Sequence, residues 1–195
     1  RAGLEQLSGY PVRVTEGEFK DKTSATIQMA WKHGRDHHLI KVRTSLPEDL
    51  RTHQMAHELS HLQLEAEARK VGKNRFFVTT DSTEQVALQR VEGDIRKLER
   101  KGYPAAASQD LATALIRGLA GFLFNCPLDM LIETRLRERM PALSAGQFVA
   151  LRMGALEALG TTTDPKIIEV TPKAIFRAGM ALNGAYALFL DNLFH

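Results

Sequence analysis

Cysteine is almost missing from this chain: Cys126 stands alone among 195 residues, which excludes an internal disulfide and favours a reducing, cytoplasmic compartment. Aromatic residues are sparse, no basic patch is interleaved with them, and the net charge is only +3; together these give no electrostatic case for a nucleic-acid partner. No apolar run has the length of a membrane span, so no membrane partner is expected. The nearly continuous stretch from Ala178 to Leu190 is instead expected to be a buried helix. Internal repeats and low-complexity tracts are lacking as well. What remains, 44 % hydrophobic and 25 % charged residues, is the composition of an ordinary globular protein large enough for one domain spanning residues 1–195 with a substantial core. The first residue is Arg1 rather than methionine, which is compatible with upstream sequence, a signal or another domain, having been removed.

Hydrophobic patterning changes character along the chain. Tyr10 to Thr15, Ala25 to Trp31 and His38 to Thr44 alternate as strands do, the last two joined across Lys32-His33-Gly34-Arg35-Asp36 as a hairpin, and Asn74 to Thr79 reads as one further strand. Helical spacing dominates elsewhere. Ser45-Leu46-Pro47-Glu48 reads as a capping box opening a helix from about 46 to 71, with Gly72 beyond its end. Asp81-Ser82-Thr83-Glu84 opens an amphipathic helix that stops at Gly102-Tyr103-Pro104. An apolar helix from Ser108 to Phe124 is expected to break or kink at Asn125-Cys126-Pro127 before a second runs to about Met140. Further helices are expected from Ser144 to about Gly160 and after Thr171-Pro172. The fold class is therefore α+β, a small N-terminal twisted sheet followed by a mostly helical remainder.

The most informative string is His57-Glu58-Leu59-Ser60-His61, which falls inside the first long helix. Residues four apart share a helix face, so both imidazoles can reach one tetrahedral Zn²⁺ while Glu58 stands beside its open position. Neutral nitrogens leave the metal Lewis-acidic, and a neighbouring carboxylate can take a proton from water attacking a carbonyl and pass it to the leaving amine. Leu50, Met55, Leu59 and Leu62 supply the apolar stripe such a helix needs.

The motif, and the order of strands before helices over about residues 10 to 71, resemble the zincin metallopeptidases. That resemblance implies a substrate-binding edge strand, here Ala25 to Trp31 or His38 to Thr44. The metzincin branch is excluded, because Leu64 and Glu67 occupy the positions of its glycine and third histidine. Gluzincin-like families take an acidic third ligand from a later helix, and Asn125, Asp129 and Glu133 at i, i+4 and i+8 fit that pattern. The segment is similar to the Asn-x-x-x-Asp-x-x-x-Asn/Glu stretch of several poorly characterised metallopeptidases, which implies Asp129 as ligand and Glu133 as hydrogen-bond partner of His57 or His61. The opposite assignment stays open, so both acids are candidate metal residues. A helix start, with Asn125 as N-cap, explains Asn125 but not Glu133.

Glu84 and Glu92 are rival ligands, explained otherwise by a capping box and by pairing with Arg96. His53 is expected to support the site from behind or to be exposed, and His33, His37 and His38 to be solvent-exposed near the turn. Tyr10, Tyr103, Tyr186 and Arg135 are oxyanion-stabilising candidates, Tyr186 reading better as core. The expectation is a zinc peptidase acting on a protein or peptide, with His57, His61 and Asp129 or Glu133 on the metal and Glu58 as general base. The alternative is a catalytically inactive zincin-like binding or regulatory module.

Overall fold

The computed structural model describes residues 1–73 and 78–195. In chain order its elements are α1 (Ala2–Ser8), β1 (Val12–Glu16), β2 (Ala25–Gln28), α2 (Ala30–His33), β3 (His38–Val42), α3 (Glu48–Lys70), α4 (Asp81–Arg100), α5 (Ala105–Arg139), a 3₁₀ turn (Pro141–Leu143), α6 (Ser144–Thr163), α7 (Pro165–Val170) and α8 (Lys173–Phe194). The class is α+β, with a small mixed sheet near the N-terminus and helices for most of the rest. Two compact units partition the chain: Arg1–Phe76 with Leu131–Leu151, and Phe77–Met130 with Arg152–His195.

In the first unit the sheet order is β1-β3-β2, with β1 parallel and β2 antiparallel to the central β3. Ile40 faces Ile27 across one ladder and Val14 across the other. Val12, Met29, Ile40, Val42 and Leu62 form the buried cluster, with Met55, Leu59 and Trp31 packed against it. At ~100° per residue, Met55, Leu59, Leu62 and Ala66 of α3 point within about 40° of one direction, and His53, His57 and His61 within about 40° of the opposite one. Burying the first stripe on the sheet therefore turns the histidines away from it. Trp31 Nε1 donates to Glu65 at 2.8 Å and Lys32 pairs with the same carboxylate at 2.6 Å, tying α2 to α3.

The second unit is helical. Val91 and Ile95 of α4, Ala112 and Ile116 of α5 and Ile175 of α8 form its buried cluster. Lys173 N donates to Asp94 at 3.0 Å, and Lys101 pairs with Glu169 at 3.1 Å.

Several expectations are corrected. Helix α3 is N-capped by Pro47 without a side-chain bond, because Ser45 is turned to Glu18 through both its amide and its hydroxyl. The cap of α4 is Thr80, in a reciprocal pair with Thr83, rather than Asp81 with Glu84. The connection from β2 to β3 contains the single-turn α2, closed by Gly34 at φ 60°, a left-handed conformation that glycine adopts without steric cost. Since β3 is the central strand, His38 to Thr44 is not an edge; among the described residues the edges are β1 and β2. The strand expected over 74–79 falls mainly on residues 74–77, outside the described residues.

Pro127 does not break its helix. α5 runs unbroken through it for 35 residues. The lost donor is tolerated because Pro127 and Leu123, whose carbonyl it would have served, are both exposed, so water can take the vacant lone pair. By length and composition this continuous helix is apolar enough to cross a membrane, which the expected interruption at Pro127 had hidden. The stretch from Ala178 to Leu190 is helical but not buried: Met180 and Leu188 are exposed, and only Leu190 is fully covered.

His38, expected in solvent, is completely buried. Its Nδ1 accepts the Ala30 N–H at 3.0 Å, and Trp31 and Tyr10 stand edge-on to its ring at 4.7 and 5.5 Å. Nδ1 is thus the unprotonated nitrogen, and burial pushes the imidazole below its ordinary pKa of 6.5. The unfolded chain therefore binds the proton first, so the contribution of His38 to stability is complete above pH 6.5 and is lost as the pH falls below it. Urea denaturation should show the stability advantage of wild type over His38→Gln shrinking between pH 7 and pH 5; a constant advantage would contradict a neutral buried ring.

Candidate metal centre

Helix α3 delivers the histidines as a column. His53, His57 and His61 succeed one another at single-turn intervals, and their ring nitrogens are engaged differently. His57 Nε2 and His61 Nε2 approach to 3.1 Å. One ligand atom each from His57, His61 and Asp129 all lie within 4.8 Å of one another, and the three residues are half-buried. Two imidazole nitrogens and a carboxylate oxygen make a donor set that can hold a metal ion.

Glu133, one turn beyond Asp129 on α5, is engaged differently. Its Oε1 is 2.7 Å from His57 Nδ1, and its Oε2 is 3.0 Å from His53 Nε2. The amide of Gln147 donates twice, at 2.7 Å to the same Oε2 and at 2.8 Å to the Glu133 carbonyl. Glu133, His53 and Gln147 are each 1 % exposed. Burial alone would raise the Glu133 pKa, but the hydrogen bonds from His53 and His57, the charge interaction with His53 and the Gln147 amide outweigh it and hold the group at about 2. An ionised carboxylate only accepts, so both facing ring nitrogens carry hydrogen. For His57 the proton is accordingly on Nδ1, and a neutral ring then makes Nε2 the acceptor that faces His61. That is the relation by which a carboxylate orients a ligand histidine from behind.

Of the two acids between which the sequence leaves the ligand role open, Asp129 belongs to the cluster that could hold a metal ion, while the oxygens of Glu133 are engaged by His57, His53 and Gln147. Asn125 Nδ2 lies 3.3 Å from Asp129 Oδ2 and sits inside α5, not at a helix start. Glu58 follows His57 on α3, about 100° around the helix, and is half-buried. His53 has its Nε2 turned to Glu133 and is no part of the cluster. The rival acids are held elsewhere: Glu84 by Arg117 at 2.6 and 2.9 Å, and Glu92 by Arg96 at 2.6 Å.

Among the oxyanion candidates, Tyr10 is packed on Trp31 and His38, Tyr103 is exposed and Tyr186 lies beside Phe189. Arg135 lines a cavity of about 90 Å³ with Ser60, Gln63 and Leu64 of α3. Nothing in the sequence marks Gln147 beyond its place in a helix start. Only its neighbour Gly146, a small residue within the first turn, carries a trace of the close packing found there. No protein-family model, curated protein or solved structure matches this chain.

Removing the Glu133 carboxylate strands two buried donors, His53 Nε2 and the Gln147 amide. Glu133→Ala should cost about 3–5 kcal/mol in urea denaturation, the range for breaking a buried charged pair. Because the folded pKa is depressed to about 2 from 4.5, the stabilisation from Glu133 is present above pH 4.5 and disappears as the pH falls toward 2. A loss below about 1 kcal/mol at pH 7 would show that water satisfies those donors.

Proposed function

We propose that the chain is a zinc-dependent peptidase. The observation that carries this reading is the 3.1 Å approach of His57 Nε2 to His61 Nε2, with a carboxylate of Asp129 in the same cluster. Two nitrogens bound to one tetrahedral zinc at about 2.0–2.1 Å stand about 3.3 Å apart, close to the spacing present. Two histidines and one carboxylate with an open fourth position also form a ligand set that catalytic zinc takes in peptidases. When bound, it supplies Lewis acidity, lowering the pKa of water to roughly 7 and polarising a carbonyl.

The residues of the chain divide the remaining work. His57, His61 and Asp129 would hold the ion, and Glu133 keeps the His57 ring in the tautomer that leaves Nε2 available. Glu58 is the general base, accepting the proton of the attacking water and returning it to the amine that leaves. β2, at one end of the strand order among the described residues, is the strand to which an extended peptide can add by main-chain hydrogen bonds. A purely structural zinc site would need no such base and ordinarily fills its fourth position with Cys or His. The presence of Glu58 beside the ligands favours chemistry over a static site.

Glu58→Gln keeps the size and polarity of the side chain and removes its basicity. Zinc content measured by mass spectrometry should stay at the wild-type level, while cleavage of a proteome-derived peptide library should fall about 10²- to 10⁴-fold. Equal turnover by the two proteins would remove Glu58 from the mechanism. Zinc uptake with no cleavage by wild type would favour a binding module.

A further inference from the structure

We propose that Gln147 is a positioning residue for the metal centre, acting through Glu133 on His57, and that Gly146 is the seat that puts it there. The inference rests on the metal-site reading above and extends it to a second helix, α6. A primary amide has two N–H bonds, and Gln147 spends one on the backbone carbonyl of Glu133 and the other on the carboxylate of the same residue. Bridging the two ends of one residue fixes the Glu133 side chain relative to its own backbone. Only one orientation of the carboxylate then remains, with Oε1 toward His57 and Oε2 toward His53. Without the bridge, only the two histidines orient the carboxylate, and the acceptor of the His57 Nδ1–H is less firmly placed.

The seat is defined by contact with α3. A Cβ on Gly146 would lie 2.4 Å from the carbonyl oxygen of Asp49 and 2.8 Å from its carbonyl carbon. Backbone meets backbone there, which no larger residue allows. Gly146 and Gln147 are both buried in the first turn of α6. The first turn of α3 thus receives α6 at Asp49, and the next residue of α6 reaches the carboxylate behind a ligand histidine borne by α3 itself. Buried glutamine is uncommon unless its amide is paired. Here both donors go to a single residue of the site, which a packing role alone does not require.

The test is a double-mutant cycle read by cobalt affinity, using competition with a chelator and the visible absorption of Co²⁺ in the full chain. Gln147→Met keeps volume and removes both donors, and it should weaken Co²⁺ binding about tenfold; Glu133→Gln should weaken it about 10- to 100-fold. If Gln147 works through Glu133, adding Gln147→Met to Glu133→Gln changes affinity by less than about twofold. Wild-type affinity in Gln147→Met, or losses that multiply in the double variant, would overturn the proposal. Gly146→Ala, which must displace the start of α6 from Asp49, should weaken Co²⁺ binding in the same direction and serves if Gln147→Met does not fold; unchanged affinity there counts against the proposal. Should wild type take up no cobalt, the metal reading fails and the clamp is judged on metal-free protein. ¹⁵N NMR should then show His57 protonated at Nδ1 in wild type and averaged between tautomers in Gln147→Met; the same tautomer in both would refute the clamp.

Discussion

A single buried carboxylate organises the first compact unit around the candidate site. Glu133 is charged, almost wholly shielded from water, and satisfied by three side-chain donors from two helices: His53 and His57 from α3 and Gln147 from α6. Desolvating such a group costs several kcal/mol. Three charge-assisted hydrogen bonds at roughly 1.5–3 kcal/mol each offset that cost. Lose any one of them and the balance turns unfavourable, so α3, the C-terminal part of α5 and the first turn of α6 hold one another in register. The same interaction sets the tautomer of His57. Architecture and chemistry of the candidate site are thus consequences of one charge.

Much of this was legible in the sequence because it follows from periodicity. Met55, Leu59 and Leu62 of the expected stripe do pack α3 on the sheet, Leu50 being outside that cluster, and the four-residue spacing of His57 and His61 puts both rings on the opposite side of the helix. Asp129 and Glu133 were legible for the same reason, being polar groups repeating at one-turn intervals in an otherwise apolar helix. Their different roles were not. That distinction depends on which acid meets His53 and Gln147, contacts separated by 80 and 14 residues that no local pattern encodes.

The misreadings have physical causes of their own. Ser45 and Pro47 made a plausible helix cap, but Glu18 competed for Ser45 and won by accepting from both its amide and its hydroxyl. Proline inside α5 signals an interruption in the sequence, whereas an exposed helix face lets solvent replace the bond it removes. His38 looked exposed because polar residues crowd the turn before it. In the folded chain its ring instead serves as an internal acceptor for the Ala30 amide, between two aromatic rings.

The unbroken passage of α5 through Pro127 bears on how the site region breathes. Proline leaves the Leu123 carbonyl without its usual intrahelical donor, so the ladder of α5 has a missing rung about half a turn before Asp129. Beyond the fraying expected at its ends, deuterium should therefore enter the interior of this long helix first in the turn from Leu123 to Pro127, next to Asp129.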